Sequence, residues 1–133
     1  MIVIHHNRDC GTSRNVLRLI EATGEPFEVV DYLREGWTRP QLLGLFAAAG
    51  LTPRAALRET KSPAEALGLL DPAVDEEKIM AAMLQHPVLV NRPIVCSPLG
   101  VRLCRPSSSA IDLLPVLPGR VIYDESGEVL FAP

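Results

Sequence analysis

Lysine is nearly missing from this 133-residue chain: Lys61 and Lys78 stand against eleven arginines. The net charge is -3, and the basic residues are scattered singly among acids. That is not the electrostatic footprint of a duplex nucleic-acid binder, so no nucleic-acid partner is expected. The arginine bias by itself carries no function, because a GC-rich coding sequence produces it. Cysteine is scarce and odd in number. Cys10, Cys96 and Cys104 have no short metal-ligand spacing and no second histidine cluster, which argues against both a disulfide framework and a metal site. They read as free thiols of a reducing compartment. No run approaches the roughly 20 apolar residues that would span a bilayer, and MIVIHHNRDC has no basic stretch leading into a sustained apolar one. The expectation is a soluble, cytoplasmic chain with no membrane partner.

What is present is a 47% hydrophobic chain of a size that suits one compact domain over residues 1–133. Residues 2–5 are mostly β-branched and run straight into a polar loop, which predicts a short buried strand. A helix follows, with Thr12 or Ser13 as its cap, Val16, Leu17 and Ile20 on one face, and Gly24 and Pro26 at its end. Phe27 to Val30 then reads as a second strand, completing a βαβ unit with parallel pairing as the default. Thr38 and Pro40 open a longer helix that Gly50 closes. Shorter helical pieces are expected around Arg54–Leu57 and Ala64–Leu67. Asp75 caps another helix, with Ile79, Met80, Met83 and Leu84 as its apolar face and His86-Pro87 as its stop.

Past Pro93, Ile94–Cys96 and Val101–Cys104 read as a hairpin around Ser97-Pro98-Leu99-Gly100. A last helix begins at Ser107–Ser109, and residues 119–132 read as a terminal hairpin around Asp124-Glu125-Ser126-Gly127. The order predicts an α/β fold: a thioredoxin-like mixed sheet with helices on both faces and a helical insertion, about 38–86, between the second and third strands. Pro93, just before the third strand, suits a cis peptide bond.

The chemistry gathers in His5-His6-Asn7-Arg8-Asp9-Cys10-Gly11-Thr12-Ser13-Arg14-Asn15, between the first strand and the first helix. A cysteine there sits beside the unpaired N–H groups of a helix start. These, with a nearby cation, lower its pKa from about 8.5 toward the reactive range. Gly11 permits close approach of an anion to the backbone, and successive N–H donors form a cradle. Cys10 and Ser13 make C-x-x-S, so no thiol one turn on can close a disulfide. Cys104 should point away from the site if Arg105 points toward it, because side chains alternate along a strand. A phosphatase loop is discounted, since its arginine follows the cysteine by six places and Arg14 follows by four. His6, the nearer of two histidines, supplies charge or a hydrogen bond to the thiolate. Ser13 caps the helix, bonds the sulfur, or both.

Four separated motifs, HHNRDCGTSRN, RAALR at 54–58, LQHPVLVNRPIV at 84–95 and PLGVRLCRP at 98–106, resemble the glutaredoxin-coupled arsenate reductase family over about residues 2–115. The resemblance implies that Cys10 is the nucleophile, that Arg58, Arg92 and Arg105 bind the oxyanion, and that His6 and Ser13 tune the thiolate. Asn7, Gly11 and Thr12 complete the anion loop. Planar guanidinium forks suit a tetrahedral, doubly charged arsenate in a way lysine cannot reproduce. The implied reaction is attack of Cys10 on arsenate, attack of glutathione on the adduct, and regeneration by glutaredoxin with release of arsenite. Glutathione would be a cosubstrate, with no cofactor bound. The charged helical tail usual in the family is replaced here by the terminal hairpin. Two further readings stay open. One is a redox regulator of the same fold that binds RNA polymerase, although Ser13 removes the C-x-x-C switch it would need. The other is a paralogous thiol oxidoreductase with another substrate.

Overall fold

The computed structural model describes all residues, Met1–Pro133, and the chain divides into two compact units, Met1–Asp31 with Arg92–Pro133, and Tyr32–Asn91. No helix is long and apolar enough to cross a membrane.

The first unit is built on four strands, β1 (Ile2–His5), β2 (Phe27–Val30), β3 (Ile94–Ser97) and β4 (Gly100–Leu103), in the order β2-β1-β3-β4. β1 pairs parallel to β2 and antiparallel to β3, and β3 pairs antiparallel to β4. The parallel pair requires the crossover that helix α1 (Gly11–Ala22) supplies. This is the thioredoxin-like mixed sheet expected from the element order. Period-two alternation sets its faces. Ile2 and Ile4 of β1, with Val95 opposite Ile4, enter one apolar cluster with Val16, Leu19 and Ile20 of α1. Cys104 and Ile122 close that cluster, together with Ala110, Leu113 and Leu114. Burying side chains of this size stabilises by about 1.5–3 kcal/mol each.

Some local expectations change, while the turn at residues 97–100, the cis bond before Pro93 and the terminal hairpin hold. The apolar stripe of α1 runs through Leu19, with Leu17 only half-buried at its margin, because residues 16, 19 and 20 share the inward face at 3.6 residues per turn. The N-cap is Cys10, in extended backbone at φ -104° and ψ 120°; Thr12 and Ser13 lie inside the first turn. The Ser107–Leu113 segment is a 3-10 helix. The β3–β4 turn pairs Ser97 with Gly100, whose φ of +145° is open to glycine and strained for other residues. Both Arg92-Pro93 and Arg105-Pro106 are cis. The tail forms a two-stranded antiparallel ribbon, β5 (Ile122–Tyr123) and β6 (Val129–Phe131).

The second unit contains α2 (Tyr32–Glu35), a single turn that the sequence did not announce, α3 (Arg39–Ala49) and α4 (Glu76–Gln85). α3 starts on a reciprocal capping box between Thr38 and Gln41 and ends at Gly50 with φ +69°. α4 starts on Asp75, whose carboxylate accepts the Lys78 N–H at 2.8 Å. Residues 54–56 and 64–67 are turns, not helical pieces, and Leu57 forms an isolated antiparallel bridge with Val90, since segments this short between prolines cannot repay helix nucleation. Arg54 gathers them, donating to the carbonyls of Leu69, Asp71 and Val74 at 3.2, 3.1 and 2.6 Å. Trp37 stacks on Tyr32 with ring centroids 4.9 Å apart and donates its indole N–H to the Pro87 carbonyl.

Candidate active site around Cys10

β1 ends at His5, and His6 adds one more rung to the parallel ladder by donating its N–H to the Val30 carbonyl at 2.9 Å. The chain must then turn into α1. Asn7, buried, makes that turn: its side-chain oxygen accepts the Asp9 N–H at 2.9 Å and its carbonyl accepts the Cys10 N–H at 3.1 Å. An Asx turn of this kind lets a polar side chain replace a backbone partner. Cys10 becomes the N-cap, and its carbonyl accepts the Arg14 N–H at 3.0 Å.

Three groups act on the Cys10 sulfur. The Ser13 backbone N–H hydrogen-bonds it, and so do the guanidiniums of Arg92 and Arg105, with Arg105 Nη1 at 3.8 Å. Burial pushes the thiol up, but the Ser13 N–H and the two arginines outweigh it, and the pKa lies below that of a free cysteine. Arg105 Nη1 also donates to the Arg92 carbonyl at 3.2 Å, so the two arginines are tied to each other as well as to the sulfur. The other thiols go the opposite way. Burial raises Cys96, and it raises Cys104 to about 12. Cys104, one residue past the end of β4, lies fully buried in the apolar cluster and is no resolving thiol for Cys10.

Two expected roles change. The Ser13 hydroxyl turns away from the sulfur, accepting the Asn7 N–H at 3.1 Å and lying 2.6 Å from His6 Nδ1; only its backbone N–H serves the sulfur. His6 is not a cation here. Burial lowers its pKa, helped by the charge of Arg14 and opposed by Asp31 and Glu21, so the ring is neutral near pH 7. Its part is to hold the Ser13 hydroxyl, and through it the loop. His5 points to the other face of β1, buried, with Nδ1 2.9 Å from the Ile94 carbonyl.

Gly11 and Thr12 are the first residues of α1, where no carbonyl four residues back within the helix is available to their N–H groups. A Cβ on Gly11 would meet nothing nearer than Arg14 Nη2 at 3.6 Å, so within the chain alone an alanine would fit. Thr12 offers its carbonyl to the Ser107 hydroxyl at 3.3 Å. The structure therefore brings Cys10, His6, Asn7, Gly11, Thr12, Ser13, Arg92 and Arg105 together in the sheet unit. Arg58 belongs to the other unit. It is buried there, with its backbone N–H on the Leu89 carbonyl at 2.8 Å and its Nε on the Thr60 carbonyl at 3.0 Å.

Sequence reasoning missed one pair of this neighbourhood. Arg14, set aside as a misplaced phosphatase arginine, is held by both carboxylate oxygens of Glu125. No local pattern signals it, because the partners lie 111 residues apart.

Similarity to known proteins points the same way as the geometry. The chain is 62% identical over 130 residues to arsenate reductase ArsI2 of Synechocystis sp., covering 98% of this chain and 93% of that one. It is 43% identical to an arsenate reductase of Escherichia coli K12, with coverage of 96% and 90%. Among solved structures, an arsenate reductase from Vibrio cholerae superposes with a TM-score of 0.79 at 33% identity, over 85% of this chain and 97% of that one. The profile of the ArsC family matches residues 5–112, from the end of β1 through the 3-10 helix, and the chain belongs to that family.

Proposed function

We propose that this protein is an arsenate reductase that uses Cys10 as its nucleophile, glutathione as cosubstrate and glutaredoxin as the regenerating partner in the cytoplasm. The observation that carries the reading is a thiol lowered below its ordinary pKa under two guanidiniums at a helix start. A thiolate is the attacking form, and the same cations attract a doubly charged oxyanion to it.

The Cys10 thiolate forms a sulfur–arsenic bond, and one arsenate oxygen leaves as water after protonation. A glutathione thiolate forms a second such bond and expels a second water. The glutaredoxin thiolate then attacks the glutathione sulfur. A disulfide forms, and the electron pair of the glutathione sulfur–arsenic bond passes to arsenic, which becomes trivalent. Hydrolysis frees arsenite and the Cys10 thiolate. Arg92 and Arg105 hold the oxyanion, with the largest gain from contacts that strengthen as charge develops. Arg58 is assigned the third anion contact on its motif, RAALR. The Ser13 N–H supports the leaving thiolate, and His6 and Asn7 keep the loop in place.

The test supplies purified protein with arsenate, glutathione and glutaredoxin and measures arsenite. Steady turnover that needs all three and vanishes in Cys10→Ser is expected. Absence of arsenite from the intact protein, or undiminished turnover in Cys10→Ser, overturns the reading. Recovery of RNA polymerase on the immobilised protein without turnover would favour a regulator instead.

A further inference from the structure

The terminal hairpin grips the first turns of α1 through Glu125, which is presented by a hydrogen-bonded loop. Asp124 builds the loop. Its Oδ1 accepts the N–H groups of Ser126 and Glu128, each at 2.9 Å, and the Ser126 hydroxyl at 2.7 Å. Its own N–H donates to the Glu128 carbonyl at 2.7 Å. This fixes Glu125 at the tip, where its backbone N–H donates to Asn15 Oδ1 at 3.3 Å.

Glu125 takes two of the three nitrogens of the Arg14 guanidinium, Nε at 2.5 Å and Nη2 at 3.0 Å. The third, Nη1, donates to the Arg8 carbonyl at 2.7 Å. One planar group thus spans from the hairpin to the loop that carries Cys10, and only arginine presents donors in that fork. The clamp lies against the residue after the nucleophile: a Cβ on Gly11 would be 3.6 Å from Arg14 Nη2 and 3.9 Å from Glu125 Oε2. Both partners are well exposed, and such pairs add little to global stability. The geometry nonetheless fixes the direction of the Arg8 carbonyl, two residues before Cys10. It also matches Arg14 with a counter-charge, which leaves Arg92 and Arg105 as the cations bonded to the sulfur.

We infer that Glu125 is a positioning residue that acts through Arg14 on the Arg8 carbonyl, so that the terminal hairpin holds the Cys10 loop in its reactive geometry. The inference rests on Cys10 as the nucleophile of the proposed function, and one of its readouts does not depend on arsenate. Glu125 touches no reacting atom, and the step it supports is approach of the thiolate to arsenic along a fixed direction.

Three variants test it: Glu125→Gln, Arg14→Lys, and the exchange Arg14→Glu with Glu125→Arg. The readouts are kcat and KM for arsenate, melting temperature, and amide hydrogen exchange of the peptide spanning residues 6–12. In the two single variants kcat should fall about tenfold or more with KM little changed, as misplacement of a reacting group does. Exchange across residues 6–12 should quicken in both. The exchanged pair should keep the melting temperature of the unaltered protein but restore neither kcat nor loop protection, because the Arg8 carbonyl loses its donor. Recovery of kcat by the exchanged pair would mean that the contact merely staples the tail, and would overturn the inference. So would wild-type kcat and unchanged exchange in Glu125→Gln. If the intact protein made no arsenite, loop exchange would still decide the positioning role, so the two failures remain distinct.

Discussion

Arg105→Ala gives the sharpest view of how the site works. Arg105 Nη1 lies 3.8 Å from the Cys10 sulfur. Two unit charges at that separation attract by about 4 kcal/mol at an effective dielectric of 20 and about 1 kcal/mol in bulk water. The sulfur is covered and Arg105 is exposed, so the interaction falls between these limits, near the lower one, at about 1–2 kcal/mol. At 1.36 kcal/mol per unit, Arg105→Ala should raise the Cys10 pKa by about one unit. Arg105→Lys should shift it less, since the charge survives while the fork is lost. The assay is the pH dependence of Cys10 alkylation, followed on the Cys10 peptide by mass spectrometry. Cys104, raised to about 12, and Cys96, raised by burial, do not ionise in the same range. The turnover profile should move with it, its acidic limb displaced upward. The same shift has a stability sign. The folded pKa of Cys10 is depressed, so its thiolate stabilises the fold above the unfolded value of about 8.5. That contribution is lost as pH falls through the folded pKa. Arg105→Ala should shrink it. An unchanged or lowered Cys10 pKa in Arg105→Ala would refute the electrostatic account of the site.

His6 also has a depressed folded pKa, so its neutral form stabilises the fold above about 6.5 and the contribution fades as pH falls through the depressed value. In His6→Gln, the acid-side decline of the melting temperature should be shallower than in the unaltered protein. Leu19→Ala removes a fully buried side chain from the cluster between α1 and the sheet. It should cost about 3 kcal/mol in denaturant unfolding, with the slope of the transition unchanged. Thr38→Ala breaks the capping box of α3 and should cost about 1 kcal/mol by the same measurement, whereas Thr38→Ser should cost much less.

Much of the sheet unit was legible because its signals are local. Ile2 to Ile4 are β-branched, Phe27 to Val30 follow Gly24 and Pro26, and Ser97 to Gly100 make a turn with the only residue that suits φ +145°. Capping signals were just as reliable at Thr38 and Asp75, where a side chain three residues from its partner decides the helix start. At Cys10 the same logic misled. Thr12 and Ser13 are good caps by composition, but the Asn7 turn starts the helix earlier and spends the Ser13 hydroxyl on Asn7 and His6. The pieces at 54–57 and 64–67 failed for a related reason. Each is too short to repay nucleation, and Arg54 ties the chain beyond the second piece through the carbonyls of Leu69, Asp71 and Val74, which no five-residue window shows.

The sequence by itself determined the candidate thiol, its helix-start setting, the lack of a second thiol one turn on, and the family, since each is written in adjacent residues or in motifs. Tertiary structure decided which cations meet the sulfur. Arg92 and Arg105 reach it from strand ends more than 80 positions away, and chain separation says nothing about distance once β3 pairs with β1. It also decided that burial raises the Cys104 thiol to about 12, that burial lowers the His6 pKa, and that Glu125 grips Arg14, because burial and long-range partners shift protonation and hold loops. Local chemistry named the thiol, and packing lowered its pKa.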